Sequence, residues 1–246
     1  MTSLLRLDQL LVQRGFFDSR SRARDAIERG TVAVSGKTAT KPGQMADYDV
    51  EIVVDDPAQG YVSRAALKLI AALDKFALDP EGLSCLDIGA STGGFTQVLL
   101  ERGAARVMAI DVGHGQLDQR LGNDPRVTNI EGLNARELIQ RDLPAAAQAI
   151  VSDVSFISLK LALPAALDLA EAGAWLVALV KPQFEAGRGA IGKGGILKDP
   201  ALGPKIAGNL ESWLNSLGGW RSLGVIPSPV AGGDGNQEYL LAGRKA

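Results

Sequence analysis

From residue 83 onward the chain keeps returning to one pattern, a short and nearly unbroken apolar run with a polar residue at its end. The runs are LSCLDIG, RVMAIDV, RVTNIEG, AAQAIVSDV, AWLVALVKP, WRSLGVI and EYLLAGR, and helical stretches separate most of them. Strands of this composition belong to a sheet covered on both faces by helices. The pattern therefore predicts an α/β fold with a doubly wound, mostly parallel, seven-stranded sheet. In open sheets of this kind ligands sit beyond the carboxyl ends of the strands. Asp87, Asp111, Asp153 and Lys181 each fall at such an end, so they are candidates for one site before any activity is assumed.

Residues 1–60 read differently, as a small α+β domain, and the polar stretch DDPAQG before residue 61 reads as a short linker to a second domain spanning 61–246. Leu7, Leu10 and Leu11 have helical spacing, with Gly15 where a C-cap belongs. Asp18 or Ser19 can cap a second helix that ends at Gly30. TVAVSGKTA and YDVEIVV read as strands, with a turn at Ser35-Gly36. The net charge of the whole chain is −2, yet between Gln13 and Lys41 seven basic side chains face three acidic ones. Such a patch suits a phosphate-bearing partner, although Arg24–Glu28 and Asp25–Arg29 also have the spacing of helix-surface ion pairs. The run from Arg6 to Gly43 resembles the RNA-binding domain first known from ribosomal small-subunit protein four. It shares the leading R-L-D, a helix opening S-R-S-x-A, and I-x-x-G-x-V-x-V-x-G. The resemblance implies that Arg14, Arg20, Arg22, Arg24, Lys37 and Lys41 face RNA. Ser35 stands where asparagine is frequent.

The turn after the first long strand, CLDIGASTGGFT, decides which ligand is expected. A dinucleotide fingerprint would need glycine where Ser91 stands, and a phosphate loop would need lysine after Gly94. The turn instead offers Asp87, Gly89, Ser91, Gly93 and Gly94. An acidic residue opening it disfavours phosphate and suits a ligand bearing an ammonium group, as S-adenosylmethionine does. At the next strand end Asp111 can accept two ribose hydroxyls, and after the third Asn134 can read an adenine edge. The alternative is an ordinary tight turn with capping aspartates.

Methyl transfer to a hydroxyl needs alignment and help in removing a proton. The candidates are Lys68, Asp153, Lys181 and Glu238. Lys68 could equally be a polar-face helix residue, Asp153 a helix cap, and Lys181 and Glu238 the ends of strands. The motifs YVSRAALKL, LDIGASTGGFT, AIDVGHGQL, NAREL, SDVSFISL, VKPQFEAGR and GNQEYLL resemble those of FtsJ-type RNA ribose methyltransferases. With the N-terminal domain included, the whole chain is similar to the TlyA or hemolysin A family. That resemblance implies a Rossmann-like class I methyltransferase fold and a Lys68-Asp153-Lys181-Glu238 tetrad. It further implies an S-adenosylmethionine cofactor and methylation of cytidine 2′-hydroxyls in ribosomal RNA, with the large subunit favoured. Ala65-Ala66 departs from the paired glycines of many relatives. The loop EAGRGAIGKGGILKD, with Arg188 and Lys193, reads either as a flexible connection or as a lid ordering on RNA.

Composition narrows the alternatives. One cysteine, Cys85, makes an intrachain disulfide impossible and fits a reducing cytoplasm. With a single histidine a Cys/His zinc cage is not expected. The first ten residues lack the unbroken apolar core of a signal peptide, and AWLVALV is too short to span a bilayer. A membrane-active hemolysin, which the older family name suggests, is thus disfavoured. A non-catalytic RNA-binding assembly factor is disfavoured because all four tetrad residues are present. The sequence is silent on oligomeric state, and a monomer is the working expectation.

Overall fold

The structure, a computed structural model, describes residues 4–232 and 235–246, the side chain of Arg188 excepted. That arginine, one of the expected RNA contacts, lies outside the described residues. The chain divides into two compact units, Met1–Gly60 and Tyr61–Ala246.

In the first unit, β1 (Leu4–Arg6), α1 (Leu7–Gln13), α2 (Arg20–Glu28), β2 (Val32–Val34), β3 (Lys37–Thr38), β4 (Met45–Asp47) and β5 (Ile52–Val54) follow in order. Leu7 and Leu11 of α1 pack on Ala23, Ala26 and Ile27 of α2. Both helices stop for the same reason. Gly15 and Gly30 adopt φ of +74° and +76°, and each is followed by a residue whose N–H reaches back to close the last turn, Phe16 to Leu11 O and Thr31 to Ala26 O. The hairpin β2–β3 turns at Ser35-Gly36 with both φ positive, as a two-residue hairpin loop requires. β1 pairs with β4, a two-stranded ribbon that the sequence pattern did not announce because three-residue strands show no periodicity.

The second unit contains α3 (Ala65–Phe76), β6 (Ser84–Ile88), α4 (Gly94–Glu101), β7 (Arg106–Asp111), α5 (Gln119–Gly122) and β8 (Val127–Glu131). It continues with β9 (Ala147–Ser152), α6 (Leu159–Ala162), α7 (Pro164–Leu169), β10 (Ala170–Val180), α8 (Pro182–Glu185), α9 (Leu202–Ser216), β11 (Trp220–Pro227) and β12 (Tyr239–Lys245). The seven strands lie in the order β11-β12-β10-β9-β6-β7-β8. The five from β10 to β8 are parallel, and β12 runs antiparallel to both of its neighbours. The fold is the Rossmann-like, mostly parallel sheet expected of a methyltransferase.

Alternation along the strands builds two cores. Leu86, Ile88, Met108, Ile110, Ile150 and Leu176 face α7 and α9. Cys85, Val107, Val151, Val177 and Leu179 face α3 and α4. Burying each large aliphatic side chain contributes about 1.5–3 kcal/mol, so the sheet is held rigidly from both sides. The chain leaves β6 toward β7 and β8, then returns to the other side of β6 for β9 and β10. The order reverses between β6 and β9, which opens a crevice at their carboxyl ends.

Candidate active site

Two adjoining clefts occupy that crevice. The larger, of about 380 Å³, is lined by Gly89, Ser91, Asp111, Asn134, Asp153 and Phe156, with apolar walls from Ile88, Ile110, Val112, Leu133 and Ile157. The smaller, of about 160 Å³, shares Gly89, Ser91, Asp153 and Ser155 and adds Ser63, Gly94 and Lys181.

The turn between β6 and α4 is shaped by backbone that ordinary residues avoid. Gly89 has φ of +80°, and a Cβ there would lie 3.1 Å from Asp153 O, so only glycine lets β6 and the residue after β9 meet this closely. Gly93 has φ of +97°, and a Cβ would lie 2.4 Å from Leu121 Cδ1. It lines neither cleft. Gly94 lets α4 rest on the start of α3, since a Cβ would lie 3.0 Å from Ser63 Cβ. Ser91 holds a left-handed φ of +47°, secured by its N–H donating to Asp111 Oδ2 at 2.8 Å. Asp111 Oδ1 accepts from Gly113 N at 2.7 Å. Each carboxylate oxygen retains a second lone pair for a ligand hydroxyl. Asn134 accepts from Arg136 N through Oδ1 at 3.1 Å, which leaves its amide NH₂ to donate into the larger cleft.

Asp87 is 0% exposed and lines neither cleft. It sits on the α4 side of β6, where Thr96 Oγ1 donates to its Oδ2 at 2.7 Å, and its Oδ1 has no partner among the described residues. Burial pushes its carboxyl up to about 7. The Thr96 hydroxyl opposes the rise, and the nearby Asp153 and Asp111 add to it.

The four expected catalytic residues form two ion pairs. Lys68, on the buried face of α3, donates to Glu238 Oε2 at 2.5 Å, with the residues 6% and 2% exposed. Glu238 precedes β12 and is pressed against Gly232, where a Cβ would lie 2.6 Å from its Oε1. Lys181 leaves β10 and places Nζ 2.7 Å from Asp153 Oδ1, a close ion pair that lies off the direction of a hydrogen bond. The same amine donates to Ser155 Oγ at 2.7 Å. Of the two pairs, Lys181–Asp153 lines the clefts and Lys68–Glu238 lines neither.

Several residues beside this pair were not singled out from sequence. Phe156 adopts φ of +65° and is 90% exposed, with its ring centroid 4.9 Å from that of Phe184. Glu185 accepts from Ser158 Oγ at 2.6 Å and from Leu159 N at 2.7 Å. All lie inside the quoted motifs SDVSFISL and VKPQFEAGR, where only the charged residues at the strand ends stood out. The glycine-rich segment is folded by its own bonds, Gly192 N to Ile196 O and Lys198 N to Ala190 O. Asn236, two residues before Glu238, holds it through Gly195 O and Leu197 N. Lys193 is exposed on it.

In the first unit the expected RNA-facing residues separate into two groups. Arg24, Lys37 and Lys41 are exposed, Arg24 only 4.0 Å from Glu28. The others are engaged with protein. Arg14 donates to Val50 O at 2.6 Å and lies over the Phe16 ring. Arg22 reaches Asp18 and Gln59 O, and Arg20 donates to Asp8 at 2.9 Å. Asp8 is fully buried and also binds Arg6. Burial alone would raise its carboxyl, yet the bonds from Arg6 and Arg20 hold it below the ordinary range. Among the described residues no group of three or more His, Cys, Asp or Glu side chains could hold a metal ion, and no helix is long and apolar enough to cross a membrane.

Residues 61–245 match the FtsJ-like methyltransferase family, and residues 5–49 match the S4 domain. The 16S/23S rRNA (cytidine-2′-O)-methyltransferase TlyA of Mycobacterium tuberculosis is 46% identical, over 98% of this chain and 90% of its own. Hemolysin A of Brachyspira hyodysenteriae is 43% identical over 96% and 98% of the two chains. A solved protein from Streptococcus thermophilus, also named a hemolysin, is 38% identical with a TM-score of 0.76, covering 100% of this chain and 90% of its own. With a methyltransferase sheet, an S4 domain ahead of it and full-length identity at this level, the chain belongs to the TlyA family of FtsJ-like methyltransferases.

Proposed function

We propose that this enzyme transfers a methyl group from S-adenosylmethionine to the 2′-hydroxyl of a cytidine in ribosomal RNA, with the large-subunit RNA as first target. The observation that carries the reading is the Lys181 amine, held between Asp153 and Ser155 at the junction of the two clefts.

The larger cleft suits the nucleoside half of the cofactor. Apolar walls accept a flat base, the Asn134 amide stands where a base edge can be read, and Asp111 can accept ribose hydroxyls. The cofactor would supply a methyl group already activated for displacement by its sulfonium. The protein's own work is then alignment and proton handling. A hydroxyl entering the smaller cleft meets Lys181. In its neutral form the amine accepts the hydroxyl proton, and Asp153 balances the ammonium so formed. Lys68–Glu238 supports the same end of the sheet as a buried, fixed pair. The exposed Phe156 ring offers a face on which an unstacked base can rest, a mode that suits recognition of single-stranded RNA. Arg24, Lys37 and Lys41 on the S4 domain and Lys193 on the second unit supply charge for phosphates. The relative from Mycobacterium tuberculosis is named for both 16S and 23S RNA, which supports ribosomal RNA as the acceptor.

The test is incubation of the purified protein with methyl-labelled cofactor and with isolated ribosomal subunits and their RNA. Label on a cytidine ribose supports the reading. Absence of label from every RNA, with RNA binding retained, leaves a binding protein. Leakage of vesicles by the protein, without label transfer, would revive the membrane-active alternative.

A further inference from the structure

Two segments frame the acceptor side of the cleft, residues 153–158 after β9 and residues 181–185 after β10. They meet at successive points: Lys181 on Asp153 and Ser155, the ring of Phe184 on that of Phe156, and the Glu185 carboxylate on Ser158 and Leu159. We infer that Glu185 is a positioning residue for methyl transfer, fastening the far end of this seam so that Asp153 and Phe156 keep their places opposite Lys181. The inference rests on the reading of Lys181 given above.

The physical need is visible at Phe156. A left-handed backbone is unfavourable for a non-glycine residue, and Phe156, 90% exposed, recovers little of that by burial. The segment must be held from elsewhere, and Glu185 holds it two and three residues further on. One carboxylate oxygen accepts from Ser158 Oγ at 2.6 Å and the other from Leu159 N at 2.7 Å. Neither bond reaches a cleft-lining polar atom, so Glu185 acts through the residues it fixes. Because Ser158 and Leu159 begin α6, a helix cap alone would also explain the bonds. A mere cap, however, would affect stability and leave transfer in the folded enzyme unchanged.

The experiment measures single-turnover transfer to ribosomal RNA, at saturating RNA and cofactor, for Glu185→Ala, Glu185→Gln, Ser158→Ala and Lys181→Ala, alongside cofactor Kd and thermal midpoint. A misplacement of about 1 Å can cost up to roughly a hundredfold in rate. Glu185→Ala is therefore expected to slow transfer about tenfold or more, while cofactor Kd changes less than about twofold. Glu185→Gln should recover to within about threefold, since its amide can accept from Leu159 N and donate to Ser158 Oγ. Ser158→Ala, which keeps one of the two bonds, should show a smaller loss of the same kind and serves if Glu185→Ala does not fold. Transfer within about twofold of the parent in folded Glu185→Ala overturns the inference, as does a glutamine variant no better than the alanine one. If Lys181→Ala itself transfers normally, the reading of the active site falls first, which separates the two failures.

Discussion

Replacing Asp87 with asparagine should make the folded chain progressively more stable than the parent as pH rises. The carboxyl is buried beside two other carboxylates, and its one strong bond comes from the Thr96 hydroxyl, so its value rises from an ordinary 3.8 to about 7. Between those values the folded chain holds a proton that the unfolded chain has released. Stability therefore falls with rising pH across this window and levels off above it. At about 1.4 kcal/mol for each tenfold change in proton affinity, the penalty is about 4 kcal/mol when complete, with about 3 of it arising between pH 5 and pH 8. Asparagine does not titrate and can still accept from Thr96. Whatever fixed packing cost it brings is the same at every pH, so the difference between the two proteins isolates the carboxyl. Urea unfolding of parent and Asp87→Asn at intervals from pH 5 to pH 8 measures it. Curves that separate by about 3 kcal/mol over that range agree with a buried, strained acid. Parallel curves would refute the reasoning and mean that Asp87 is solvated or paired in solution.

Gly93→Ala should destabilise the second unit by about 1–2 kcal/mol from backbone strain alone, with more from repacking of Leu117 and Leu121, measurable by denaturant midpoint. Removing either member of the buried Lys68–Glu238 pair should cost about 3–5 kcal/mol, because the other charge is stranded. The double variant Lys68→Ala/Glu238→Ala should cost clearly less than the two singles together, and strict additivity would contradict the pairing. Arg24→Ala, Lys37→Ala and Lys41→Ala should each lower the salt slope of RNA affinity by about one with stability unchanged. Arg20→Ala should in addition cost stability on the order of 1 kcal/mol, since it withdraws one of the two donors to buried Asp8.

The sheet was legible because its strands announce themselves. An apolar run that stops at Asp111, or just before Asp153 or Lys181, has little freedom over where that residue emerges, and all three line the crevice. Asp87 shows what a strand-end argument omits. It lies one residue before the last of β6, and alternation sends it with Cys85 to the α4 face, while Leu86 and Ile88 face the other core. The run of residues places it near the turn but gives no direction. The S4 arginines were legible as charge, whereas their partners were not, because Asp8 reaches Arg20 only when α1 and α2 pack. The bonds of Glu185 to Ser158 and Leu159 join segments more than twenty residues apart, through a contact that exists only once β9 and β10 are neighbours. No local spacing records such a meeting.

The most direct measurement is nucleoside-level mass spectrometry of ribosomal RNA after reaction with the cofactor and either the parent protein or Lys181→Ala. The proposed chemistry predicts 2′-O-methylcytidine with the parent. With the variant it predicts none above background, even though the cofactor still binds with an affinity near that of the parent. Methyl groups found on bases instead of ribose, or undiminished 2′-O-methylcytidine from Lys181→Ala, would contradict it.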